Sequence, residues 1–274
     1  MIKSIALNLV KVAVVIACFS ASVQAEATPA LFGGPESLTQ QKSSRDVNHS
    51  IGIARNTDDQ TIRYIEHHQY FEDGTHLVRY FDNDRQLILE KDLSYPGLPQ
   101  HPVIVQRDIR AAAITTVSQD PLGQLATITR SDAASFSFEL SEDIIIDAGF
   151  DRYIQKNWDQ FKQNPTQSVR FAVPGQSRLL KMKVTRVGLI DGQTHFTIKP
   201  ENWLVRLLLP QISLVYSEDL KLKRYQGFSN LKPTEDESRE VIITFRQYNT
   251  DRAMDRFPGE WMAVAAEQTI SEPK

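Results

Sequence analysis

The sequence predicts an α+β fold dominated by antiparallel strands: a strongly curved sheet or incomplete β-barrel with two short helices packed on it. Three observations predict it. Apolar and polar residues alternate through much of the chain, tight-turn signals separate the alternating runs, and two segments replace the alternation with helical or all-apolar patterning.

The 274-residue chain opens with an export pattern. Lys3 and Lys11 give a positive start, and Val12 to Phe19 is a short apolar run. Val23-Gln24-Ala25 offers small residues at the two positions a signal peptidase inspects. The apolar run is too short to span a bilayer. Cleavage after Ala25 places the mature protein in the periplasm or otherwise outside the cytoplasm. An alternative is lipidation at Cys18, since Val15-Ile16-Ala17-Cys18 resembles a lipobox, which would anchor the same domain to a membrane surface.

Cys18 is the only cysteine. Cleavage removes it, so stability must come from packing and not from disulfides. Losing Lys3 and Lys11 from 31 basic residues leaves 29 against 34 acidic ones, a net charge of about −5. That balance argues against a nucleic-acid surface. Residues 26–45 are polar, with Pro29, Gly33, Gly34 and Pro35, and read as a flexible leader. Residues 46–248 read as a single β-rich domain and 249–274 as a polar tail, in which Trp261 and Met262 are candidates to dock.

Within the domain, residues 62–67 and 76–81 alternate on either side of Glu72-Asp73-Gly74, a hairpin turn in which Gly74 accepts positive φ. Asp82-Asn83-Asp84 leads into a third strand from Leu87 to Asp92. Further alternation covers Leu180 to Thr185, Thr194 to Lys199 after the Asp191-Gly192 turn, Ile212 to Tyr216, Leu220 to Tyr225 and Val241 to Arg246. One apolar and one charged face imply an antiparallel sheet with a wet side.

The helices are expected at Asp147–Gln163 and Pro200–Leu209. In the first, Phe150, Ile154, Trp158 and Phe161 share one face, Asp147 or Asp151 is the candidate cap, and Pro165 lies beyond the end. The second is apolar nearly all round, so it should be buried or pressed against a membrane or partner.

Chemistry is weakly written. His67, His68, His76 and Glu66 cluster around the first hairpin, but neighbouring strand residues point to opposite faces, so only one of His67 and His68 can meet His76. Two imidazoles and a carboxylate make a poor metal site, and no metal is expected. Ser177 sits on a turn with no placed base. The carboxylate pairs Glu142/Asp143 and Asp147/Asp151 fit a solvated surface or helix caps. There is no nucleophile elbow, phosphate loop or dinucleotide fingerprint, and so no cofactor is expected. Arg206, inside an apolar segment, should pair with Glu201 or Asp147, or else greet an anionic head group. Lys181, Lys183, Arg186, Lys199, Lys221, Lys223 and Arg224 would form a positive ridge suited to a solvated face or to anionic lipid head groups.

Asp147-Ala148-Gly149-Phe150-Asp151, Trp158, Phe171-Ala172-Val173-Pro174 and Leu222 to Leu231 resemble a group of uncharacterised bacterial exported β-rich proteins, over about residues 50–248. The resemblance implies an envelope domain and brings no activity. At the level of fold alone, the pattern is similar to half-barrels that carry lipids or lipoproteins across the periplasm. The expected function is therefore non-catalytic: binding a lipid-like or lipopolysaccharide-like ligand, or an envelope protein, with peripheral membrane contact. The candidate lining is Phe150, Trp158, Trp203, Arg206, Leu207 and Tyr216, each of which also suits plain core or, for Arg206, a structural pair. The alternatives are a hydrolase acting on envelope material and a structural or assembly factor.

Overall fold

A computed structural model of the chain describes residues 46–249 except 175–176, 207–208, 210, 230 and 232–239. The expected leader, the tail with Trp261 and Met262, and Leu207 lie outside the described residues.

Fifteen strands form one sheet. The first eight are β1 (Asp46–Asn56), β2 (Ile62–Phe71), β3 (His76–Phe81), β4 (Leu87–Ser94), β5 (Val103–Asp108), β6 (Ala113–Gln119), β7 (Leu125–Arg130) and β8 (Ala133–Glu139). The other seven are β9 (Ile144–Ile146), β10 (Thr166–Ala172), β11 (Leu180–Ile190), β12 (Gln193–Pro200), β13 (Ile212–Tyr216), β14 (Leu222–Phe228) and β15 (Glu240–Asn249). The strand order is β8-β7-β6-β5-β4-β3-β2-β1-β15-β14-β13-β12-β11-β10-β9. Two meanders thus meet where β1 pairs with β15, and the sheet ends on β8 and β9 without closing. Every pairing is antiparallel except β9 with β10.

The turn chemistry does what the sequence implies. Gly74 has φ 78° and its N–H donates to Phe71 O. Asp191 and Gly192 are both left-handed, at 49° and 74°, as a two-residue hairpin with matching twist requires. In the β3–β4 turn the Asp82 carboxylate accepts from the N–H groups of Asp84 and Gln86.

The helical segment at 147–163 is two helices, not one. Helix α1 (Gly149–Lys156) ends at Asn157, whose side-chain amide and N–H both donate to Tyr153 O. Helix α2 (Trp158–Gln163) then resumes. An asparagine that bonds back to the preceding turn offers the backbone an alternative to continuing the helix. Neither Asp147 nor Asp151 caps α1. Asp147 takes φ 45° and Ala148 holds the N-cap position without a side-chain bond. The apolar face nonetheless works as expected: Ile154 and Phe161 are fully buried, with Phe150 and Trp158 packed against the same cluster.

Of the second expected helix the described residues hold α3 (Trp203–Arg206), and Leu209 N–H donates to Val205 O a turn further on. Pro200 closes β12 instead of opening the helix, because its inward-facing ring continues the buried Phe196 and Ile198 row. Trp203 and Leu204 are 66% and 53% exposed, so this part of the segment is not core.

The expected wet side fails at the centre of the sheet. On β1 and β2 both faces are buried: Ile51, Ile53, Ile65, His49, His67 and Gln69 on one, Ala54, Tyr64 and Glu66 on the other.

Gly149 is the tightest joint. A Cβ there would overlap the carbonyl of Gln100, whose oxygen also accepts from Ile146 N–H. Alanine gains up to about 1 kcal/mol of helix propensity over glycine. Overpacking against backbone costs about 1–3 kcal/mol and has no flexible side chain to absorb it. Gly149→Ala should therefore lower the urea midpoint, and an unchanged or raised midpoint would show that the joint has slack.

Candidate functional site

Register assigns the polar residues of β2 to opposite faces. His68 lies opposite Ser50 and Val78, and Glu66 opposite Gly52 and Tyr80, while His67 lies opposite Ile51 and Arg79. His68 is the histidine that meets His76: His68 Nδ1 and His76 Nε2 are 3.0 Å apart, and their rings are stacked. His68 Nε2 lies 3.0 Å from Glu66 Oε2. With the carboxylate accepting from Nε2, the neutral arrangement that satisfies both bonds has His76 Nε2–H donating to His68 Nδ1. This chain uses both nitrogens of His68. Among the described residues no group of three His, Cys, Asp or Glu is disposed to hold a metal ion.

Around this chain stand groups from distant parts of the sequence. Tyr70 stacks on His76 with ring centroids 4.3 Å apart, and Phe245 of β15 meets His68 edge-on at 5.7 Å. Helix α1 brings Asp151, which accepts from Tyr216 OH at 2.9 Å and from Gln155 Nε2 at 3.1 Å. Arg152 lies 5.2 Å from the Tyr95 ring centroid. Lys91, only 2% exposed, pairs with Asp147 at 2.6 Å. Burial raises the Asp151 carboxyl above its ordinary range, against the opposing pull of Tyr216 and Arg152. Burial, and then the Asp151 charge, pushes the Tyr70 phenol up.

Three of these side chains have a revealing environment. Burial raises the pKa of Asp151, Tyr70 and Tyr225, yet each retains some accessible surface. By contrast, Tyr216 and Phe196 keep almost no accessible surface.

The expected lining residues divide. Phe150 sits beside this region, 6.2 Å from the Tyr225 ring. Tyr216 is fully buried, with its hydroxyl on Asp151. Trp158 packs on Phe196 and Tyr216 in the second core cluster. Trp203 is exposed. Arg206 finds no carboxylate: its guanidinium donates to Pro200 O and Glu201 O at 2.7 and 3.1 Å, because Asp147 is taken by Lys91 and the carbonyls lie within its own turn. Sequence reasoning missed Tyr70, Tyr225, Phe245 and Lys91.

Other candidates are ordinary surface. Asp143 pairs with Arg170, which holds its carboxyl down at about 2. Ser177 is exposed. Lys181, Lys183 and Lys199 share the outward face of β11 and β12, whereas Lys221 pairs with Asp219. A separate hollow of about 240 Å³, lined by Arg63, Asp82, Asp84, Arg110 and Leu231 among others, contains none of the histidine chain.

No protein-family model matches the sequence, and no curated protein is similar to it.

On the opposite face of β2, burial and the neighbouring His49 depress the pKa of His67 to about 3. The sign follows directly. The unfolded chain takes up a proton near pH 6.5 that the folded chain refuses until about pH 3. This histidine's contribution is fully present above pH 6.5 and is lost as pH falls, by up to about 1.4 kcal/mol per pH unit. Urea unfolding between pH 6.5 and 4 should show that slope, and His67→Asn should flatten it whatever its stability at neutral pH. An identical slope in the variant would remove His67 as the cause.

Proposed function

We propose that this is an exported, non-catalytic binding protein that holds a small amphipathic ligand in a hollow on the inner side of a curved sheet. The observation that carries the reading is the grouping of Asp151, Tyr70 and Tyr225 with the His76 and Phe150 rings: burial raises the pKa of all three, yet each keeps accessible surface. Side chains bordering an internal hollow behave in this way, and such hollows combine aromatic walls with a few polar groups.

Curvature is supported by arithmetic. Ile144 and Ile146 of β9 belong to one core cluster with Val117 of β6, which stands twelve positions away in the strand order. In a flat sheet at about 4.8 Å per strand, that separation would be about 58 Å. Strand β9 is also tied to the β4–β5 connection through Ile146 N–H on Gln100 O. A sheet bent round α1 accounts for both. The first 25 residues support export, with anchorage through Cys18 as its variant.

The neutral probe N-phenyl-1-naphthylamine should bind the folded chain saturably, one per molecule. Phe150→Ala and Tyr225→Ala should each weaken it by about fivefold, the worth of one aromatic contact of about 1 kcal/mol. Absence of saturable binding to folded protein would sink the reading.

A second reading, hydrolysis by acid–base chemistry, is favoured by the continuous Glu66–His68–His76 chain. It predicts turnover of a p-nitrophenyl ester above background that disappears in His76→Ala. Equal rates in the two proteins would leave binding alone.

A further inference from the structure

Glu66 is only 3% exposed. One carboxylate oxygen, Oε2, is engaged by His68 Nε2, while the other, Oε1, is buried with no hydrogen-bond partner among the described residues. A buried carboxylate oxygen without a donor is costly, so such an atom signals a donor that arrives from outside the chain.

The surroundings specify what kind. Glu66 stands among aromatic rings. Tyr64 is its neighbour on the same face of β2, and Tyr80 lies directly opposite on β3. Across on β1 is Gly52, where a Cβ would come within 2.7 Å of the Phe245 ring, so glycine is what lets that ring lie beside the carboxylate. The Glu66 charge also raises the phenols of Tyr225 and Tyr70. Asp151 adds a second carboxylate. Among the described residues, the neighbouring cations Lys91 and Arg152 are committed elsewhere, Lys91 to Asp147 and Arg152 to the Tyr95 ring and the field of Asp151. Aromatic faces are electronegative, so they repel an anionic head group and attract a cationic one by about 0.5–2 kcal/mol each.

Resting on the hollow proposed above, we infer that the ligand's head group is an organic cation, an amine that donates to Glu66 Oε1 and lies against the aromatic walls. The protein then selects amphiphiles by head-group charge, with the chain of the ligand making the less specific contacts.

The test is displacement of N-phenyl-1-naphthylamine from the full chain by dodecylamine, dodecanol and dodecanoate, each below its critical micelle concentration. Dodecylamine should displace at about tenfold lower concentration than the other two, a preference of about 1.4 kcal/mol. In Glu66→Gln that preference should vanish while dodecanol competes as before, with the melting temperature reporting the fold. If the variant does not fold, the wild-type ranking still decides. Equal displacement by all three overturns the cation and leaves the hollow. Failure of the probe itself to bind removes the hollow, and the cation with it.

Discussion

Charged and titratable groups enclosed by protein must be matched inside it, because no bulk water is there to do so. That constraint organises the face of the sheet that carries His68 and Lys91. The Lys91–Asp147 pair joins β4 to the junction of β9 and α1, where Asp147 sits in a left-handed conformation. Asp151 joins α1 to β13 through Tyr216. Glu66, His68 and His76 join β2 to β3 beside the turn that pairs them. The first two contacts hold the start of α1 against β4 and β13, which are remote from one another in the sheet. Among the described residues, Glu66 Oε1 is one of the buried atoms at which the matching is incomplete.

The two faces of β2 show how environment divides similar residues. His67 and His68 are adjacent, yet His67 is held neutral in a desolvated stack with His49 while His68 bridges a carboxylate and a second imidazole. Alternation of side chains along the strand suffices to place one histidine in a desolvated stack and its neighbour in a polar chain.

Much of the strand pattern was legible in the sequence. The hairpins at Asp73-Gly74 and Asp191-Gly192 announce themselves, and the register across the first brings one histidine of the pair, with Glu66, to His76. The strands from β5 to β10 are quieter: β7 and β8 carry serine, threonine and alanine outward, so their contrast of apolar and polar is slight. The break at Asn157 depends on one side-chain bond, and the late start of the 200–209 helix depends on Pro200 continuing a buried row of β12. Neither is a property of composition. The convergence of Tyr70, Tyr225, Phe245 and Asp151 could not be read at all, since it requires β2, β14, β15 and α1 to meet across the fold. Lys91 illustrates the same limit, as a lysine in an alternating strand reads as solvent-facing until its carboxylate partner from the start of α1 is in place.

The most direct measurement is a crystal structure of the full chain grown without added amphiphile. The account predicts a hollow bordered by Tyr70, Asp151 and Tyr225, with water or a bound molecule at hydrogen-bond distance from Glu66 Oε1. A close-packed interior in which a protein donor already satisfies that oxygen would contradict it.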